Sequence, residues 1–280
     1  MKSEQIKQIT SKAIEELVAA LNSGRSEALT NYLAAIGRFH HYSFFNVMLI
    51  ARACPHATHV ARYQTWKSLG RYVKKGEKGI MILAPVFRRR TQENNEAQNA
   101  KQDGNDSRAL VGFRAVYVFD ESMTAGNPVP QIDSVNGDPG VQRERLEQFV
   151  REQNIVLEYS ADIAPAKGVS EGGRIKLLPG QSSAETVATL VHELTHERLH
   201  RAEHRASMTK RIRETEAEAV AFVVCQAIGL ETGTASADYI SLWNGDATVL
   251  LESLELVQRT AAEIIAAITP EKPSPPDSGG

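Results

Sequence analysis

The sequence predicts an α+β fold in two parts, and three observations lead to it. Apolar residues recur every three or four positions over long stretches near both ends of the chain, the mark of helices with one buried face. Shorter runs rich in β-branched and aromatic residues, at 80–84, 111–119 and 155–159, read as strands. Between the two sets Gly126, Pro128, Pro130, Gly137, Pro139 and Gly140 crowd into 124–140, where neither period survives. The chain therefore divides into 1–130 and 131–269, and a Pro-, Ser- and Gly-rich tail at 270–280 is expected to be disordered. A chain of 280 residues can supply both parts with a core.

Taken in order, residues 3–23 form an amphipathic helix with Ile6, Ile9, Ile14, Leu17, Val18 and Leu21 on one face. Residues 26–39 form a second helix. Ser43 caps a third, whose inner face is Val47, Leu49 and Ile50 and which Pro55 ends. Gly76 and Gly79 mark a turn between 71–73 and the strand at 80–84, and the turn carries Lys74, Lys75 and Lys78. The next strand ends in Arg88, Arg89 and Arg90. Residues 91–108 are polar, so they read as a long flexible tip joining this strand to 111–119 in one hairpin.

Beyond the Gly/Pro cluster, 141–153 reads as a helix, 155–159 as a strand and 171–178 as a second strand. The second is taken as an edge strand, able to accept an extended peptide by strand addition; as a plain sheet strand it binds nothing. Residues 185–200 (ETVATLVHELTHERLH) follow, with Val187, Leu190, Val191, Leu194 and Leu199 at helical spacing. On a helix His192 and His196 share a face, where two neutral imidazoles can grip one Zn²⁺ per chain. Glu193 then lies beside the metal as the general base for an attacking water. A charged helix facing solvent explains the same letters, but the apolar residues before His192 predict burial, where unpaired His and Glu are costly.

The helix at 211–229 offers the third ligand from Glu214, Glu216 and Glu218. Acids near a helix N-terminus also complement its dipole with no ligand at all. Glu214 and Glu218 lie one turn apart, and Glu216 points elsewhere. Glu214 is favoured as ligand with Glu218 beside a ligating histidine; the reverse is the alternative, and Glu216 ranks third. His200 continues the row of histidines but drifts off its face, so it is assigned to the surroundings of the ligands. Residues 239–243 start a further helical region, and 249–268 form a helix apolar on one face.

The net charge of −2 hides an asymmetry. Residues 1–130 carry 18 Lys and Arg against 11 Asp and Glu, and the remainder carries 14 against 23. A basic half points to a polyanion, and a single strand also needs rings for bases to stack on. The candidates are Tyr42, Arg62, Lys67, Arg71, Lys74, Lys75, Lys78 and Arg88, with most rings of 38–90, Phe45 and Trp66 included, assigned to the core. The lysine turn is the best of them, because a Gly-bounded basic tip has no packing role. No apolar run approaches the ~20 residues that span a bilayer. The first residues lack a signal-peptide core. Cys54 and Cys225 suit a reduced cytoplasm.

The chain also resembles a known family. Tyr42-Ser43, Asn46, Leu49-Ile50, Trp66, Leu69-Gly70-Arg71, residues 73–80 (VKKGEKGI), Ile82, Pro85 and Val118-Phe119-Asp120 are similar to the N-terminal domain of ArdC-type antirestriction proteins. The His192–His196 motif, His200, Glu214, Ala217-Glu218, Cys225, Gly229-Leu230 and Tyr239-Ile240 resemble the same family's C-terminal domain. The resemblance implies a single-stranded-DNA-binding domain followed by a zincin-like metallopeptidase domain, on a mobile element whose incoming DNA is protected from restriction during plasmid conjugation. It also implies a gluzincin-type arrangement, in which Glu214 binds metal and Glu218 supports a histidine. Glu216 and the 91–108 insertion depart from the pattern. Two readings follow: an antirestriction protein whose main act is binding DNA, or a regulatory zinc metalloprotease that the basic half merely localises. A purely structural zinc site is a third, which the intact Glu193 argues against.

Overall fold

The computed structural model describes residues 3–23, 27–89, 108–128, 139–201, 208–230 and 247–269. In chain order the elements are α1 (Ser3–Asn22), α2 (Glu27–Arg38), α3 (Phe44–Ala53), β1 (Val60–Arg62), α4 (Tyr63–Ser68), β2 (Arg71–Val73), β3 (Ile80–Arg89), β4 (Arg108–Asp120) and β5 (Thr124–Gly126). Then follow α5 (Gly140–Glu152), β6 (Val156–Tyr159), β7 (Gly168–Ser170), β8 (Arg174–Leu177), α6 (Ser183–Leu199), α7 (Lys210–Ala227) and α8 (Ala247–Ile268). Helices and sheets are mixed in both halves, as an α+β chain requires. Among the described residues no helix is long and apolar enough to cross a membrane.

β3 and β4 pair antiparallel from Ile80–Val118 out to Arg89–Arg108, and β1 adds to the other side of β4. The register slips after Val86, which pairs with Gly112 while Phe87 pairs with Leu110, leaving Val111 as the extra residue of a bulge. The expected hairpin is thus present, and its tip lies outside the described residues. β3 is an edge strand, and Asn46 of α3 serves as its partner there. Its amide donates to Leu83 O at 2.9 Å and its Oδ1 accepts from Leu83 N at 2.8 Å. β2 and β5 form a separate two-stranded ladder.

The third sheet has the order β6-β8-β7, with β6 parallel and β7 antiparallel to β8. The strand expected at the edge, 171–178, is therefore the central one. The edges are β6 and β7, and β7 was missed in the sequence because three residues carry no period. The six-residue helix α4 was missed as well, being under two turns long.

The buried residues of the two halves are continuous. Leu29, Leu33 and Ile36 of α2, Val47 and Ile50 of α3, Leu190 and Leu194 of α6, Val220 and Val223 of α7, and Leu254 and Ile264 of α8 belong to one cluster. α2 lies against α7 closely enough that a Cβ at Gly37 would stand 3.0 Å from Val223 O. Gln258 of α8 donates to Tyr42 O at 3.0 Å, tying the last helix to the loop before α3.

Candidate metal centre

α6 is set by its start and its stripe. Ser182 caps it, its Oγ accepting from Glu185 N at 3.2 Å while Glu185 Oε2 accepts from Ser182 N at 3.1 Å. Val187, Leu190, Val191 and Leu194 are wholly buried, which turns His192 and His196 to the half-open side. α7 starts at the Thr209 cap, whose hydroxyl accepts from Ile212 N at 3.3 Å, and runs across α6 so that Glu214 meets the histidines.

His192 Nε2 and His196 Nε2 lie 3.1 Å apart, and Glu214 Oε2 stands 3.4 Å from the first and 3.6 Å from the second. Ligand atoms about 2.0–2.1 Å from a tetrahedral ion stand roughly 3.3 Å from one another. The three atoms are spaced as the corners of such a shell, and the donor set of two imidazoles and a carboxylate suits a divalent cation. Burial lowers the pKa of both histidines, that of His196 to about 4, assisted there by the neighbouring imidazoles His192 and His200 and opposed by Glu214. Near neutral pH both rings are therefore neutral and offer lone pairs.

Glu193 is 8% exposed and lies beneath β7. Burial, then the charges of Glu214 and Glu197, push its carboxyl up to about 7, against one hydrogen bond donated by Ser170 N. A cation at the adjacent donors would pull it down again. β7 reaches this close because residue 168 is glycine: a Cβ there would stand 2.8 Å from Glu193 Cγ and 2.6 Å from Thr189 Cγ2. Glu197 holds the far end of the strand, accepting from Ser170 Oγ at 2.6 Å and from Gly172 N and Gly173 N at 3.0 and 2.9 Å.

Glu214 lies where it was expected, and the other two acids of α7 do not. Glu218 is exposed and is not among the three converging donors, and its carboxyl is raised by partial burial and by Glu214. Glu216, ranked last in the sequence reading, is the acid that meets the end of the histidine row at His200. It is completely buried and lies 3.0 Å from His200 Nε2. An exposed-looking i, i+2 acid on a charged turn gave no signal of this, because the covering helix α8 is distant in sequence. Gly168, Ser170 and Ser253 were likewise missed.

The candidate DNA residues separate into two groups. Arg71 donates to Thr124 Oγ1 at 2.9 Å and to Asn127 O, with its guanidinium 5.7 Å from the Trp66 ring centroid. Lys74 donates to Ser122 O at 2.8 Å, and Tyr42 is half-buried with its hydroxyl donating to Val60 O at 3.3 Å. These three do structural work. Arg62, Lys67, Lys75 and Lys78 are exposed. Arg88 is the penultimate residue of β3, and its side chain lies outside the described residues. Trp66 is core as expected, donating to Phe119 O at 2.8 Å, but Phe45 is exposed. The most open rings are Tyr72, Tyr117, Phe87 and Tyr63, at 62%, 57%, 55% and 50% exposure, with Phe113 at 37%. Tyr117 adjoins the lysine turn: a Cβ on Gly79 would stand 2.9 Å from Tyr117 Cβ.

Comparison with known proteins adds three findings. Residues 3–119 match the family described as the N-terminal domain of anti-restriction factor ArdC. An uncharacterized Bacillus anthracis protein is 24% identical over 95% of the chain, which spans about half (51%) of that relative's length. Two crystal structures of the antirestriction ArdC protein of plasmid R388, one metal-free and one Mn(II)-bound, cover 92% of the chain. They do so at 18% and 17% identity, with TM-scores of 0.54 and 0.53 and 96% and 97% of their own chains covered.

Proposed function

We propose that the chain, whose residues 3–119 match the ArdC N-terminal family, is a single-stranded-DNA-binding antirestriction protein of the ArdC type whose C-terminal half carries a zincin-like, metal-dependent peptidase site. The observation that carries the peptidase reading is the convergence of His192 Nε2, His196 Nε2 and Glu214 Oε2 beside a buried Glu193. Zinc is the proposed ion, since two imidazoles and a carboxylate are a common catalytic zinc set. Manganese is the alternative ion, since one crystal structure of the R388 protein is Mn(II)-bound.

His192, His196 and Glu214 would hold the ion. When bound, it supplies Lewis acidity, which polarises a peptide carbonyl and acidifies water. Glu193 receives the proton of the attacking water on its carboxylate and passes it to the leaving amine. Burial raises this carboxyl and a bound cation lowers it, and a carboxyl held between the two can both take and return the proton. The Ser170 N–H and the close pass of β7 at Gly168 orient Glu193 and keep bulk water from its inner side.

In the N-terminal half, Lys75 and Lys78 supply charge for phosphates, and the open rings of Tyr117, Phe113 and Phe87 supply faces for bases. The second reading, a regulatory metalloprotease that the basic half localises, draws on the same complete site. Glu193→Gln separates the two. If DNA binding is the function, the variant binds single-stranded oligonucleotides as the parent does and protects an incoming plasmid from restriction in a conjugation assay. Loss of protection with DNA binding intact would assign the function to the peptidase instead.

A further inference from the structure

On the far side of the donors, a row of polar side chains runs into the core. His196 Nδ1 lies 2.7 Å from His200 Nδ1, and His200 Nε2 lies 3.0 Å from Glu216 Oε2. Ser253 of α8 donates to Glu216 Oε1 at 2.5 Å. Glu216 and Ser253 have no exposure, and His200 has 7%. Around them Val220, Leu254 and Val257 are wholly buried. Polar groups are costly in such surroundings unless each is matched donor to acceptor, so the order of protons along the row is constrained.

A neutral imidazole donates from one nitrogen and accepts on the other, and a carboxylate only accepts. With Glu216 as acceptor, His200 donates from Nε2 and carries its lone pair on Nδ1. His196 must then donate from its own Nδ1, which leaves the lone pair of His196 on Nε2, facing His192 and Glu214. The reverse order puts a proton on His196 Nε2 and removes a ligand. We propose that Glu216, held by Ser253 and acting through His200, is a positioning residue that locks His196 in the tautomer able to bind a divalent cation. The proposal rests on reading the three donors as a cation site. It assigns to Glu216 the supporting role that sequence spacing gave to Glu218.

The test uses the full chain, stripped of metal and labelled with ¹⁵N-histidine. Long-range ¹H–¹⁵N spectra of the parent should place the His196 proton on Nδ1. In Mn(II) titrations followed by the EPR signal of the free ion, Glu216→Gln should weaken binding by about 10- to 100-fold. The same variant should mix the His196 tautomers, whereas Glu218→Gln should match the parent in both measurements. A parent His196 protonated on Nε2, or a Glu216→Gln chain with the parent's tautomer and affinity, overturns the proposal. Should Glu216→Gln fail to fold by circular dichroism, Ser253→Ala carries the test: a smaller loss in the same direction is expected, and parental affinity and tautomer overturn it. A parent that keeps the Nδ1 proton yet takes up no Mn(II) would retain the relay and refute the cation reading of the three donors.

Discussion

Glu193 and Asp120 are both buried carboxyls, and their surroundings drive them in opposite directions. Burial raises both. At Glu193 the nearby charges of Glu214 and Glu197 add to it, and the carboxyl reaches about 7. At Asp120 burial is outweighed by hydrogen bonds from the Ser122 hydroxyl and from the backbone N–H groups of Ser122, Thr58 and His59, and the pKa falls below the ordinary 3.8. Asp120 thereby ties the loop before β1 to the end of β4, with Thr58 N at 2.8 Å and Ser122 Oγ at 2.6 Å. A carboxyl whose folded pKa is depressed stabilises the fold above its unfolded pKa, and that contribution disappears as pH falls through the folded value. Asp120→Asn keeps one acceptor and loses the charge, so it should cost about 1–3 kcal/mol at pH 7. In urea melts the gap between variant and parent should narrow as pH falls below 3.8. A gap that stays constant from pH 7 down to pH 3 would refute this role for the charge.

At the scale of the element, the turn between β2 and β3 separates charge that braces the fold from charge that is free to meet a ligand. Gly76 adopts a φ of +92°, which lets the chain reverse in so few residues. Lys74 is spent on the Ser122 carbonyl, while Lys75 and Lys78 are exposed on a turn whose last residue, Gly79, packs against Tyr117. The basic turn was plain in the letters, since Gly and Lys have few other reasons to alternate there. The rings beside it were not. Strand β4 alternates, but alternation does not say which face is covered, and only the packing of β3 on α3 exposes Phe113 and Tyr117. Lys75→Ala with Lys78→Ala should weaken binding to single-stranded oligonucleotides and reduce the slope of log K against log salt by about 1.4, at ~0.7 per phosphate contact. An unchanged slope would remove the turn from the DNA surface. Lys74→Ala alone should leave the slope unchanged, because its amine is already engaged.

At the scale of the whole molecule, the residues on either side of the expected division at 124–140 share one core. α2 lies on α7, α8 reaches the loop before α3 through Gln258, and one cluster of buried residues runs through both halves. α7 and α8 are thus shared: they supply Glu214, Glu216 and Ser253 to one side and apolar cover to the other. Domains with separate cores unfold separately, and a shared core couples them. Calorimetry of the metal-free full chain should accordingly give a single unfolding transition whose calorimetric and van't Hoff enthalpies agree. Two resolved transitions would show that the contact between α2 and α7 contributes little.

The letters alone determined the parts whose signal is local. The period of α6 and the four-residue spacing put His192 and His196 on one face with Glu193 beside them. The Gly–Lys turn, the β3–β4 hairpin and the principal helices follow from residues near one another in sequence. Only the tertiary structure decided what depends on which element covers which. α8, more than thirty residues beyond Glu216, buries that acid against His200, while Glu218 stays on the exposed side of α7. The three-residue strand β7, too short to show a period, becomes the sheet edge over Glu193 because Gly168 has no side chain to hold it off. Burial is a property of the partner surface, and no local pattern carries it.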